Sequence, residues 1–450
     1  MTPMPPFRAR HMTAGALVLS MTALPSWAQD EDAALAPKAE LTIGQQIAVD
    51  NGDVIGITPI GLNYQTGTRA ETLQFSMSMP LEEGDPDEDD FVSFGDAQAR
   101  LFYRRGARNS AIEAELSYRE SDLDREILFD DISNELVTVD RGSVAHSSAR
   151  LGYVFGTQSK VGGEIGLQYS RRNYSGTTDA SLDDSETKEG HLRLYLEPTP
   201  LIRARLVASG TQIDSDGGTD SRFSDIGAGA SLQVDKLTNL DVEIAHTKIR
   251  REEENGFVEE TTGPTYRLNL SRARPAGEWT LAYASAPGTE GRRDDLTLGH
   301  SFERPNFDFS AALGVTHFQG NYDPIFQLGY DRELSRVSRI QASLDRSSVT
   351  DNDGDEAINT TVSASYSRQL SEASSMNASV RYRSSDVQTG DRSDAETMSL
   401  DLNYSRTLYS ELSLVAGANI IRTNSDNNNG EDDDDERVYL GLSRSFNWLP

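Results

Sequence analysis

In the last third of the chain, side chains take turns with a regularity that few folds can use. Ile358, Val362, Ala364, Tyr366 and Leu370 share one parity, while Asn359, Thr361, Ser363, Ser365, Ser367 and Gln369 take the other. Met398, Leu400, Leu402, Tyr404 and Leu408 alternate likewise with Thr397, Ser399, Asp401, Asn403, Ser405 and Thr407. Successive side chains of a strand point to opposite sides. A two-residue period held over this length therefore makes a strand with one apolar and one polar face.

A short phrase returns inside the alternation. Tyr330-Asp331-Arg332-Glu333-Leu334, Tyr366-Ser367-Arg368-Gln369-Leu370 and Tyr404-Ser405-Arg406-Thr407-Leu408 are three copies, and Leu442-Ser443-Arg444-Ser445-Phe446 is a fourth. Their arginines recur at steps of 36, 38 and 38 residues. Two fainter copies precede them, Leu270-Ser271-Arg272 and His300-Ser301-Phe302, with Phe302 in the arginine slot. A fixed period of this size marks a repeated supersecondary unit, and alternation makes that unit a long β-hairpin.

Composition decides what repeated hairpins build. The chain is only 36% hydrophobic, with mean hydropathy −0.54 and a formal charge of −30. After the N-terminus no apolar run reaches the ~18 residues of a membrane helix. An acidic, Ser/Asp-rich chain of low hydropathy also suggests disorder, but sustained alternation with regular tyrosines argues against it. A transmembrane barrel reconciles these features, because only alternate residues meet lipid and the interior is as polar as water. The expected fold is all-β: an antiparallel up-and-down barrel of about 22 strands, with about 18 as the lower bound.

The N-terminus reads separately. Arg8, Arg10 and His11 precede an apolar stretch at 14–24, which Pro25 and Ser26-Trp27-Ala28 close. A basic head, a short apolar run and a small-x-small site make residues 1–28 a secretory signal peptide. Residues 29–39 are expected to be a short acidic periplasmic tail, and 40–450 the barrel. The expectation leaves no room for the plug domain of a TonB-dependent transporter. Cysteine is absent, which rules out disulfides and thiol chemistry.

Tight turns are expected near 66–69, 106–109, 157–160, 197–200, 235–239, 274–277, 304–306, 335–338, 371–374 and 408–410. Longer connections, many acidic, are expected near 82–94, 121–145, 175–188, 214–221, 251–260, 285–293, 319–322, 350–356, 388–394 and 423–436. A short turn at Asp50-Asn51-Gly52-Asp53 opens the series. Short periplasmic turns and long outer loops are the asymmetry of outer-membrane barrels. Phe302, Tyr330, Tyr366, Tyr404, Phe446 and Trp448 sit near short-turn ends on the apolar parity, as a girdle of rings at headgroup depth. Arg332, Arg368, Arg406 and Arg444 share that parity. Near the interface an outward arginine costs only about 0–1 kcal/mol, and its guanidinium reaches lipid phosphate while the stem lies on apolar surface.

The last strand carries Val438, Leu440, Leu442 and Phe446 on one face. It resembles the C-terminal recognition strand of outer-membrane barrel proteins, which closes on an aromatic residue. Here Asn447-Trp448-Leu449-Pro450 follows. The resemblance is to large Gram-negative outer-membrane β-barrel proteins of the porin-like class. General trimeric porins are similar but have fewer strands. It implies residence in the outer membrane, contact with its lipids and lipopolysaccharide, and insertion by the barrel-assembly machinery.

The polar parity supplies candidate pore-lining residues: Asp241, Glu243, Arg267, Asp295, Asp331, Glu333, Arg339, Asp345, Arg381, Arg383 and Asp401. Such charges either set a field in a water-filled pore or pair across strands to satisfy a polar interior. Acidic connections at 82–90, 351–356 and 426–436 are solvated loop tips, or share divalent cations with surface phosphates. Asp351, Asp353 and Asp355 are the metal candidates, although Gly354 sits too early for a helix-loop-helix calcium loop. Connection 121–145, with its apolar Ile127-Leu128-Phe129, either constricts the lumen or adds an outer hairpin.

His146, His191, His246, His300 and His317 are scattered singly, and no catalytic residue, cofactor or nucleic-acid contact is expected. The expected function is a passive channel for small hydrophilic solutes with cation preference. The alternatives are a structural or polysaccharide-associated surface barrel with a closed lumen and, last, a barrel enzyme.

Overall fold

The computed structural model describes residues 35–83, 92–123, 142–177, 183–216, 218–253, 255–288, 291–350, 356–388, 394–409, 411–425 and 433–448. All regular structure among them is strand. In chain order these are β1 (Leu35–Asp50), β2 (Asp53–Gly67), β3 (Glu71–Glu83), β4 (Val92–Phe94), β5 (Gln98–Ala107), β6 (Ser110–Asp122), β7 (Ser143–Phe155) and β8 (Val161–Ser175). Next come β9 (Ser185–Thr199), β10 (Ile202–Ser215), β11 (Asp220–Gln233), β12 (Thr238–Glu252), β13 (Val258–Arg274), β14 (Gly277–Pro287), β15 (Arg292–Arg304) and β16 (Phe307–Phe318). The series ends with β17 (Asn321–Ser335), β18 (Ser338–Thr350), β19 (Glu356–Ser371), β20 (Ser374–Val387), β21 (Ala395–Tyr409), β22 (Leu412–Ser425) and β23 (Asp433–Trp448).

Apart from β4 and β5, each strand pairs antiparallel with its sequence neighbours, and β23 pairs with β1 from Ala39↔Trp448 to Asp50↔Arg437. Both β4 and β5 pair with β3, so they are two pieces of one wall strand. The wall is therefore a closed cylinder of 22 strands. Closure matters physically, since an open edge would leave backbone groups unpaired in hydrocarbon.

Partners in an antiparallel ladder project to the same side, so parity can be followed around the wall. One face carries large exposed apolar side chains, among them Ile226 at 71%, Leu313 at 70% and Ile244 at 61% exposure. On the other face Arg437 of β23 reaches Glu82 of β3 at 3.1 Å, past β1 and β2. Side chains three strands apart meet in this way on a concave surface. The apolar face is thus the outside and the polar face the lumen, the arrangement of an outer-membrane barrel.

The register explains the repeated phrase. Arg332 lies opposite Ile340, which lies opposite Tyr366. Arg368 leads through Met376 to Tyr404, and Arg406 through Leu414 to Leu442. Each arginine is level, along the hydrogen bonds, with the residue two places before the next arginine. Barrel strands tilt ~35–45°, so a line along the hydrogen bonds drifts in depth as it circles the wall. A two-residue advance per hairpin offsets the drift and holds the arginines near one depth.

Two details differ from the sequence expectation. Strand β1 opens at Leu35, inside the stretch read as a tail. The longer connection expected at 319–322 is a two-residue turn, with Gln319 and Gly320 at φ 48° and 90°. Asn51-Gly52 turns the same way, at φ 49° and 98°. Positive φ at both central residues matches the twist of the flanking strands. Polar residues beyond the bilayer simply extend the ladder, which alternation in hydropathy alone does not reveal.

Candidate functional site

The inward face carries the chemistry. On β12, Asp241, Glu243, Ala245, Thr247, Ile249 and Arg251 face the lumen, and Glu243 stands directly opposite Arg267 of β13. Arg205 of β10 is the hub of this region. It holds Asp241 through two bonds of 2.6 Å and Glu243 through one of 2.9 Å, while Arg267 donates to Glu243 at 2.5 Å. The exposures of Arg205 and Glu243 are 11% and 8% at the side chain, against 40% for Asp241. A planar guanidinium suits this bridging of two carboxylates, which a lysine would meet only as a point charge.

The expected luminal residues all fall on this face by register. Asp241, Glu243 and Arg267 come together around Arg205, and Arg339 pairs with Asp331 through a guanidinium fork. Glu333 lies opposite Arg339. Asp295 stands 3.6 Å from Arg293, Asp345 accepts from Ser347 at 3.1 Å, and Asp401 accepts from Asn419 at 2.6 Å. Arg381 and Arg383 lie opposite Ser399 and Thr397.

Sequence reading missed other members. Glu164 of β8 gathers His191 at 3.4 Å, Arg193 at 3.6 Å and the Tyr195 hydroxyl at 3.3 Å, all from β9. Arg437 bridges Asp50 at 2.5 Å and Glu82. On β5 and β6, Arg100 meets Glu115 at 2.9 Å and Arg104 meets Glu113 at 3.2 Å. The available signal was a cation on the polar parity of a strand, as at Arg203-Ala204-Arg205-Leu206.

Burial along the lumen is graded. Near the outer strand ends, Thr247, Ile249, Thr397, Ile421 and Thr423 face inward and are buried. Near the periplasmic ends, Ser367 and Asn403 face inward and are exposed. The inward face is thus covered towards the outside and open towards the periplasm.

The outward face carries the girdle. Phe307 packs edge-on against Tyr330 and Phe302, with ring centres 5.5 and 5.9 Å apart. The Arg444 guanidinium lies 4.7 Å above Phe446. Tyr366, Tyr404, Arg332, Arg368 and Arg406 share this outward parity at the short-turn end. Trp448 closes β23 opposite Ala39, and its side chain lies outside the described residues. Asp351, Asp353 and Asp355 also lie outside them, as do residues 124–141. Among the described residues no group of three or more His, Cys, Asp or Glu is placed to hold a metal.

A polar row crosses the outward face nearer the outer ends: Tyr266, Ser285, Asp294, His317 and Tyr322 stand directly opposite one another from β13 to β17. Tyr283 donates to Asp294 at 2.9 Å, and His317 lies 3.8 Å from the same carboxylate. Serine activation needs the imidazole between hydroxyl and carboxylate. Here Asp294 stands between Ser285 and His317, so the row does not assemble a catalytic triad.

No protein-family model matches the chain, and no curated protein matches it. Solved structures do. The siderophore receptor PirA from Acinetobacter baumannii aligns over 93% of this chain and 81% of its own, at TM-score 0.56 and 10% identity. The ferric-catecholate import receptor Fiu from E. coli K12 aligns over 93% and 82%, at TM-score 0.61 and 8% identity. The copper transporter OprC aligns over 93% and 82%, at TM-score 0.56 and 9% identity. At such identities the likeness is one of fold.

Proposed function

We propose that the barrel carries small hydrophilic solutes across the outer membrane down their gradient, with preference for cations. The observation that carries this reading is the charged inward face of a wall too wide to be filled by its own side chains. Eight strands suffice to close an interior with side chains, whereas far larger barrels enclose channels or plugged lumens. In this reading Asp241, Glu243, Arg267, Asp295, Asp331, Glu333, Arg339, Asp345, Arg381, Arg383 and Asp401 line the path. The net charge of −30 and the acidic outer connections draw cations to the mouth. The similar structures bear the names of receptors and transporters, which supports transport as the broad class.

The burial of Thr247, Ile249, Ile421 and Thr423 at the outer end favours a second reading, in which the mouth stays shut. Such a barrel either opens for a particular solute or serves as a closed surface element. Planar bilayers under a salt gradient separate the readings. Steady conductance with a reversal potential of cation-selective sign is expected. Anion selectivity would overturn the cation preference. Silence, joined to no swelling of proteoliposomes in small sugars, would overturn the passive path and leave the shut mouth.

A further inference from the structure

We infer that the outer wall binds anionic inner-leaflet phospholipids through their phosphates chiefly along one half of its circumference. Arg272, Arg332, Arg368, Arg406 and Arg444 face outward at the periplasmic ends of β13, β17, β19, β21 and β23, and Arg304 fills the gap on β15 with its guanidinium 4.9 Å above Phe302. The two-residue advance per hairpin keeps Arg272, Arg332, Arg368, Arg406 and Arg444 near one depth, the depth of the aromatic rings and so of the headgroups, with Arg304 two residues nearer the periplasm than Phe302. All of them are exposed. Among the described residues Arg332, Arg368 and Arg406 have no ion pair, and Arg444 reaches only Glu411 at 3.4 Å. Guanidinium forks match phosphate oxygens bidentately.

Strands β7, β9 and β11 end differently. Tyr153 and Phe155, Leu196 and Leu232 occupy the outward positions there, without an arginine. On β5 Arg105 does face outward, but opposite Glu71 of β3, so the belt is lopsided: a lipid meets a row of cations on one side of the barrel and a largely apolar rim on the other. An aliphatic or neutral polar anchor would serve the bilayer boundary equally well. A row of exposed cations at headgroup depth, with Arg332, Arg368 and Arg406 in no ion pair among the described residues, fits an anionic headgroup.

Trp279 supplies the test, since it lies outward at the same rim, opposite Arg272, at 41% exposure. Protein carrying Trp448→Phe is reconstituted in vesicles of phosphatidylcholine mixed with brominated phosphatidylglycerol or brominated phosphatidylcholine. Quenching of Trp279 then reports which lipid occupies the belt. The glycerol lipid is expected to be preferred about five-fold per binding place at low salt, as about one cation's worth of attraction gives. In Arg332→Gln/Arg368→Gln/Arg406→Gln/Arg444→Gln, still folded by its heat-modifiable gel shift, the preference should fall towards one. The matching lysine variant should keep most of it, and millimolar inorganic phosphate should leave it unchanged. A wild-type ratio of one, or a glutamine variant with undiminished preference, would overturn the inference. Should the glutamine variant not fold, loss of the wild-type preference in high salt supports the inference, and salt-insensitive quenching overturns it.

Discussion

The wall from β5 to β13 and the wall from β18 to β23 meet the same lumen with different chemistry. In the first, charges are tied across strands: Arg100 to Glu115, Glu164 to His191 and Arg193, and Arg205 to Asp241 and Glu243. In the second, hydroxyls face one another across β18 to β21, as in Ser343–Ser363 at 2.6 Å and Ser375–Ser405 at 2.8 Å, and the tied charges stand at its edges, Arg339 to Asp331 and Arg437 to Asp50. Both solutions satisfy a polar interior, but they respond differently to damage. A hydroxyl that loses its partner turns to water. A charge held away from water keeps its desolvation cost when its partner is gone.

The largest effect is therefore expected at the hub. Arg205→Ala leaves Glu243, which is almost buried, to Arg267 alone and takes from Asp241, which is wetter, its bidentate guanidinium. Breaking a buried pair costs 3–5 kcal/mol, and the wetter Asp241 places this case at about 3 kcal/mol. Urea unfolding in lipid vesicles, read by the gel shift, measures it. A loss below that of a serine substitution in the other half would remove the distinction between the two walls.

Ser363→Ala sharpens the same comparison from the other side. It deletes one member of a half-buried hydroxyl pair whose partner, Ser343, can be rehydrated. A net hydrogen bond is worth about 0.5–1.5 kcal/mol, so the unfolding midpoint should shift by about half of the Arg205→Ala shift or less. A cost equal to that of Arg205→Ala would mean that the hydroxyl wall is as dry as the charged one.

The difference between the halves also decides what the sequence discloses. In the hydroxyl wall, alternation is local and each strand announces its own faces, so hairpins, girdle and strand number are legible from residues such as Tyr366 and Ser367. The hub is not legible. Arg205 reaches Asp241 and Glu243 across 36 and 38 residues of chain, and only the register of three strands brings them together. Parity says that Arg205 faces inward, but which carboxylate it meets depends on the stagger between strands. The polar row from Tyr266 to Tyr322 is hidden for the same reason. Its members are unremarkable singly and aligned only by pairing.

The smallest expected effect lies at the periplasmic turns, where the two halves again differ. The turns at Ser335–Ser338 and Ser371–Ser374 are pinned by hydroxyl pairs at 2.7 Å, which do not titrate in the working range. The turn after β11 is pinned by a carboxylate: Asp235 accepts from the amides of Leu237 and Thr238 at 2.7 and 2.9 Å and from the Thr238 hydroxyl at 3.0 Å. These donors, the Leu237 amide foremost, hold the Asp235 carboxyl below its ordinary range. The sign follows from linkage. A depressed carboxyl stabilises the folded turn fully above its unfolded pKa, near 3.9, and loses that contribution as pH falls through the lower folded value. Amide exchange at Leu237 and Thr238 should therefore gain an extra acceleration on acidification that Val337 and Ala373 in the serine turns do not share. Asp235→Asn keeps an acceptor oxygen but no titration, so it should hold the turn while abolishing the pH response. Equal responses in both kinds of turn would mean that acid loosens the rim as a whole and that the carboxylate is not the lever.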